Sequence, residues 1–293
     1  MAKRRSTSPR RSSSINGSRI SLRTLCLVII ISAGIWAINA SDGCKASSDN
    51  KVKPVCEGAY GNLMAVKTNP SLPSQEKSYT GMDLSFNPRL HVPNWVSWEL
   101  TADEINGSAA RKDKFVSDPD IEGCSETWDY SYSGYDRGHM APAGDMKWSA
   151  KAMEETFYLS NICPQVHSLN SGAWKKLEEK CRKWAGSHEK IYIVCGPIVE
   201  PGSADEYIGD SRVWVPRRFF KVVIAPYSTP ALGIGFIMPN GKVTGGMQQC
   251  VVSIDEIEEL TGHDFFASLP DELENELESQ ANFAKWELSS SRR

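Results

Sequence analysis

The sequence predicts an α+β fold built on a mixed, mostly antiparallel sheet with inserted helices. Three observations predict it. Short apolar runs recur, such as "KIYIVCGPIV", "RRFFKVVIAP" and "ALGIGFIMPN", each the length of a strand. The stretch "NWVSWELT" sets Trp95, Ser97 and Glu99 against Val96, Trp98 and Leu100, a period of two. Between such runs lie patterns with helical spacing, as in "SLNSGAWKKLEEKCRKWAG", where Trp174, Leu177, Cys181 and Trp184 form one stripe.

The first forty of the 293 residues differ from the rest. Lys3, Arg4, Arg5, Arg10, Arg11, Arg19 and Arg23 precede an apolar run, Leu25–Ala40, and no acid occurs before Asp42. A basic flank ahead of an apolar run is held on the cytoplasmic side, so the remainder is expected to be exported. A signal peptide cut near Ala40 and an uncleaved membrane anchor over residues 25–40 both fit, giving a secreted, periplasmic or anchored protein. A mitochondrial presequence fits the Arg- and Ser-rich composition, but its apolar residues should be amphipathically spread, not gathered in a block. Residues 41–60 read as a polar linker, and residues 61–288 as one domain.

Within the domain, "SYTGMDLSFN" reads as a strand and "PRLHVP" as the turn after it. "NGSAARKDKFVSDPDI" reads as a loop. The helix in "SLNSGAWKKLEEKCRKWAG" is expected to be capped by Asn170 or Ser171 and to stop before Gly186. Turns are expected at Gly196-Pro197 and Asn240-Gly241. "SIDEIEELTG" and "PDELENELESQANFAKWEL" read as two further helices, the second acidic and amphipathic.

The formal net charge is −3, and without the seven N-terminal cations 26 Lys and Arg face 36 Asp and Glu. Such a surface excludes tight binding of nucleic acid by bulk electrostatics, so any positive track must be local. Lys147, Lys175, Lys176, Arg217, Arg218 and Lys221 are candidates for it. Cys26 lies in the apolar run, leaving seven other cysteines and no CxxC pair. A cysteine zinc site is therefore not expected, whereas disulfides are compatible with export.

The chemistry concentrates in "SGYDRGHMAPAGDMKWS". On a strand Arg137 and His139 share a face. A fixed cation beside an imidazole lowers its pKa and keeps it a base near neutral pH. That arrangement suits deprotonation of water beside a phosphate. Downstream, Asn170 offers a neutral oxygen suited to a hard cation such as magnesium. Glu178 follows about two helical turns later on the same side, as an acceptor outside the metal's direct ligands. Asn170 also reads as a helix cap and Glu178 as a solvated charge.

"DRGH" at Asp136–His139 followed by "MAPAGD", and "SNICPQ…LNSGAWKKLE" after it, resemble the signature blocks of the DNA/RNA non-specific endonuclease family. The resemblance runs from about Gly61 to Gly262 and implies a ββα-metal, or His-Me finger, nuclease fold. It implies His139 as general base, Asn170 as the direct ligand of Mg²⁺ (with Mn²⁺ as a substitute), and Glu178 as the carboxylate beyond it. Asn161 matches the asparagine beside the base, and Arg137 the arginine of the signature. Arg111 stands for the upstream arginine against the phosphate. Lys175 is a candidate contact to substrate, and Asp136 is expected to orient the strand or Arg137. The implied reaction is hydrolysis of DNA and RNA with little sequence preference, leaving 5′-phosphate and 3′-hydroxyl ends. The resemblance also allows a homodimer. A phosphodiesterase on another ester and a non-catalytic nucleic-acid-binding protein are the alternative readings.

Overall fold

The computed structural model describes residues 60–200 and 206–290. The N-terminal basic region, the apolar run and the linker lie outside them. In chain order come β1 (Gln75–Ser78), β2 (Asp83–Asn87), β3 (Val92–Thr101), β4 (Asp136–His139), α1 (Ala150–Glu155), β5 (Ile162–Gln165) and α2 (Lys175–His188). They are followed by β6 (Lys190–Pro197), β7 (Tyr207–Ile208), β8 (Val213–Trp214), β9 (Arg218–Ala225), β10 (Leu232–Pro239) and β11 (Val251–Val252). Three helices close the chain: α3 (Ile254–Thr261), α4 (Asp271–Glu278) and α5 (Phe283–Ser290).

Seven strands form the main sheet in the order β1-β2-β3-β6-β9-β10-β11. Every ladder in it is antiparallel, in keeping with the α+β fold and mostly antiparallel sheet expected. The alternation read in β3 separates two cores. Val96, Trp98 and Leu100 pack with Trp174, Leu177, Cys181 and Trp184 of the α2 side. Trp95 packs on the other side with Val194, Val222, Ile254, Phe265 and Leu277. Both faces are thus covered, and β3 is buried along most of its length.

Several local expectations are corrected. "SYTGMDLSFN" does not form one strand: β1 ends at Ser78 and β2 starts at Asp83, with a turn between. Gly196-Pro197 continues β6 instead of turning, because both residues pair with β9. Neither Asn170 nor Ser171 caps a regular helix. A π-type turn over Leu169–Trp174, kinked at Gly172 with φ −103° and ψ −110°, precedes α2. Gly186 does not end the helix, which runs on to His188 and stops where Glu189 takes φ 67°. The acidic C-terminal segment is two helices, α4 and α5, not one. The five described cysteines, Cys124, Cys163, Cys181, Cys195 and Cys250, are free thiols, while Cys44 and Cys56 lie outside the described residues.

Candidate active site

β4 and β5 form a separate two-stranded ribbon in which Gly138 pairs with Cys163 and His139 with Ile162. A Cβ at position 138 would sit 2.2 Å from Oε1 of the buried Gln165 and force that side chain to shift, so glycine keeps the ribbon closed here. The indole of Trp174 donates from Nε1 to the His139 carbonyl at 3.1 Å, tying the ribbon to the start of α2. Two strands and the following helix thereby enclose a cavity of about 380 Å³. Arg111, Phe115, Arg137, His139, Asn170, Lys175, Glu178 and Arg182 are among the residues that line it.

His139 is wedged between the rings of Phe115 and Phe157, with centroids 5.3 and 5.1 Å away. Burial, and then the charge of Arg111, lower its pKa to about 3, so the imidazole is neutral at pH 7. Its Nε2 has no hydrogen-bond partner. The expectation that Arg137 supplies the depressing charge is corrected: Arg111 does. Arg137 turns its guanidinium over the rings of Phe115 and Tyr130, and its Nη2 donates to the Thr127 carbonyl at 2.7 Å. Arg111 lies over the Phe157 ring at 5.2 Å and pairs with Asp113.

Asn170 is oriented by Asp136. Its Nδ2 donates to Asp136 Oδ2 at 2.9 Å, which leaves the carbonyl oxygen on the opposite branch of the amide. His167 Nδ1 lies 2.8 Å from the same carboxylate oxygen. Asp136 therefore positions Asn170, not Arg137. An amide oxygen fixed in this way and a carboxylate, Glu178, facing the same cavity form a donor set that suits a hard divalent cation.

Asn161 lies outside the cavity lining. Its Oδ1 accepts from Ala141 N, and its Nδ2 donates to the carbonyls of Ala141 and Thr156, each at 2.9 Å. A side chain with these bonds fixes the turn after His139 and has no free donor for substrate. Of the basic-track candidates, Lys175 alone lines the cavity. Arg218 is paired with Glu200. Lys221 is not on the surface at all.

Lys221 has no exposed area, and its charge acts on Glu178 of the cavity from within the core. Its Nζ lies 4.8 Å from the Trp98 ring and 4.5 Å from the Trp174 ring, without a hydrogen-bond partner. Burial opposes its charge, while Cys195, Cys181, Glu178 and Asp145 favour it and hold its pKa above the ordinary value. Burial pushes the Cys195 and Cys181 thiols to about 11 and about 12, so both are neutral at pH 7 and the two carboxylates sustain the ammonium. Asp145, buried, accepts from Arg182 Nη1 at 2.7 Å and from Trp98 Nε1 at 3.0 Å. Glu178 is raised to about 7 by burial, against the pull of Lys221, Arg182 and Arg111.

Two strands and a helix around one imidazole, one amide oxygen and one carboxylate are the arrangement of a ββα-metal nuclease fold. The family model described as DNA/RNA non-specific endonuclease matches residues 60–272. The chain belongs to that family. Mitochondrial nuclease EXOG of Mus musculus is 37% identical over 254 residues, covering 81% of this chain and 69% of that protein. Human EXOG is 38% identical over 217 residues, covering 68% of this chain and 59% of its own length. The matched region thus spans between about three fifths and two thirds of these relatives. Human mitochondrial endonuclease G is 34% identical over 203 residues, covering 64% of this chain and 68% of that protein. The fold is also that of a crystal structure of the EndoG/EndoGI complex, with TM-score 0.64 at 32% identity, covering 69% of this chain and 89% of the other.

These relatives overturn the expectation of export. EXOG and endonuclease G are named as mitochondrial, so a signal peptide, a membrane anchor and secretion find no support. No helix among the described residues is long and apolar enough to cross a membrane, and residues 25–40 lie outside them.

Proposed function

We propose that this chain is a divalent-metal-dependent endonuclease that hydrolyses phosphodiester bonds of DNA and RNA, leaving 5′-phosphate and 3′-hydroxyl ends. The observation that carries this reading is the convergence of Arg111, Arg137, His139, Asn170, Lys175 and Glu178 on one cavity. His139 takes the proton from the water that attacks phosphorus. Arg111 meets the phosphate anion, which offsets the guanidinium charge acting on His139 and moves the imidazole toward a working base strength. Arg137 and Lys175 flank the phosphate. Asn170 would hold the cation, Mg²⁺ by the donor chemistry, with Glu178 beyond it. When bound, the cation neutralises charge on the phosphate and on the leaving 3′-oxygen.

All these groups address phosphate, and phosphate contacts carry no base information, which supports cleavage with little sequence preference. The mitochondrial relatives, together with the acid-free, Arg- and Ser-rich leader, support a mitochondrial location. Incubating the full chain with supercoiled plasmid and total RNA tests the reading. Loss of both substrates with Mg²⁺, and of neither with chelator, is the expected outcome. Intact substrates after incubation of folded protein with Mg²⁺ or Mn²⁺ overturn it.

Glu178 makes the metal dependence sensitive to pH. Its carboxyl holds a proton below about 7 and must lose it to act as an acceptor. Mg²⁺ affinity therefore falls as pH drops below 7, by up to about tenfold per unit for one displaced proton. Calorimetric titration with Mg²⁺ at pH 6 and pH 8 measures this, and Glu178→Gln removes the dependence.

A further inference from the structure

The second cation-competent cluster lies on the other face of the main sheet, in the core that holds α3 and α4. Asp255, Glu258 and Glu278 each offer a carboxylate oxygen there, and these oxygens all lie within 4.8 Å of one another. Asp255 has an ordinary explanation, since it sits in the first turn of α3, where a negative charge is favoured. Glu258 accepts from the Phe265 N–H at 2.6 Å. Glu278 has neither excuse. It is only 6% exposed, and its Oε1 is buried with no hydrogen-bond partner. It is also the last residue of α4, where the helix end disfavours an anion.

Among the described residues no ion pair reaches any of the three. Lys67 lies near but bonds Asp264 at 2.8 Å. Burial first, and then Glu258, Glu274, Asp255 and Asp264, push the Glu278 carboxyl up to about 9. A buried, unpaired carboxyl facing two other carboxylates is costly unless a cation joins them.

We infer that Asp255, Glu258 and Glu278 form a second divalent-cation site, selective for calcium, that clamps α3 to α4 away from the catalytic cavity. Mg²⁺ demands near-octahedral order, keeps several waters and is usually held by only one or two carboxylates, whereas Ca²⁺ takes about six to eight oxygens in flexible geometry. Three carboxylates match its preference for charged oxygen ligands, and water completes the shell. The site is structural: it contains no nucleophile or base aimed at substrate.

The test is Ca²⁺ titration of the full chain and of its Asn170→Ala variant, which silences the catalytic cavity, followed by calorimetry and thermal melting. Expected are one Ca²⁺ per chain in the variant and a rise in Tm of about 5 °C at millimolar Ca²⁺, with a smaller rise for Mg²⁺. Glu278→Gln and Asp255→Asn should each weaken Ca²⁺ binding at least tenfold. Asp255 is exposed, so its substitution leaves folding intact even if the other does not. Absence of a Ca²⁺-dependent Tm rise in both proteins overturns the site. So does unchanged Ca²⁺ affinity in Asp255→Asn, and the cluster would then be held by shared protons.

Discussion

Replacing His139 by alanine lowers kcat/KM on supercoiled plasmid by about 1,000-fold or more, with most of the loss in kcat, the range expected for a positioned general base. The ring is neutral at pH 7 and lines the cavity that Asn170 and Glu178 also face. Metal affinity should change little, because Asn170 is held by Asp136 and not by His139. Alanine also vacates the space between Phe115 and Phe157, within a cavity of about 380 Å³. Free imidazole should therefore enter and restore part of the rate, which a merely structural role for His139 would not permit. A variant that cleaves at the wild-type rate would remove His139 as the base. Glu178, which titrates near neutrality in the same cavity, would then be the remaining candidate.

The sequence made the site legible where its residues are close in the chain. His139 stands within a four-residue strand, and Asn170 and Glu178 flank the start of one helix. Local spacing was enough to bring them to one side. Arg111 was reached only through family resemblance, since a long loop carries it to His139. The role of Asp136 was missed because its partner, Asn170, lies 34 residues away. Arg182 could have been found four residues after Glu178, on the same helical face. The helix start was misread because Gly172 permits a kink that a cap-and-stripe pattern does not register. Location was misread because a compact apolar run outweighed the acid-free basic composition around it.

Lys221 was legible in principle. In "RRFFKVVIAP" the period of two puts it on the same face as Phe219 and Val223, both buried against α2. Its parity points inward, although a lysine is ordinarily a surface charge. Lys221→Met should lower Tm by about 10 °C, because removing one member of a buried charge group leaves its partners uncompensated, at about 3–5 kcal/mol. Methionine fills most of the volume, so the effect isolates charge from packing. Lys221 is the strongest influence holding the Glu178 pKa down, and its loss raises that pKa above about 7. Mg²⁺ affinity at pH 7 should then fall by about tenfold and recover at higher pH. A surface contact to nucleic acid predicts the opposite pattern: an unchanged Tm and a smaller salt dependence of KM. Melting and calorimetry on this one variant therefore separate a cation that supports the site from within the core from one that greets the substrate. If the variant melts with the wild type, Glu178 and Asp145 must share a proton, and the ammonium is not what keeps them in place.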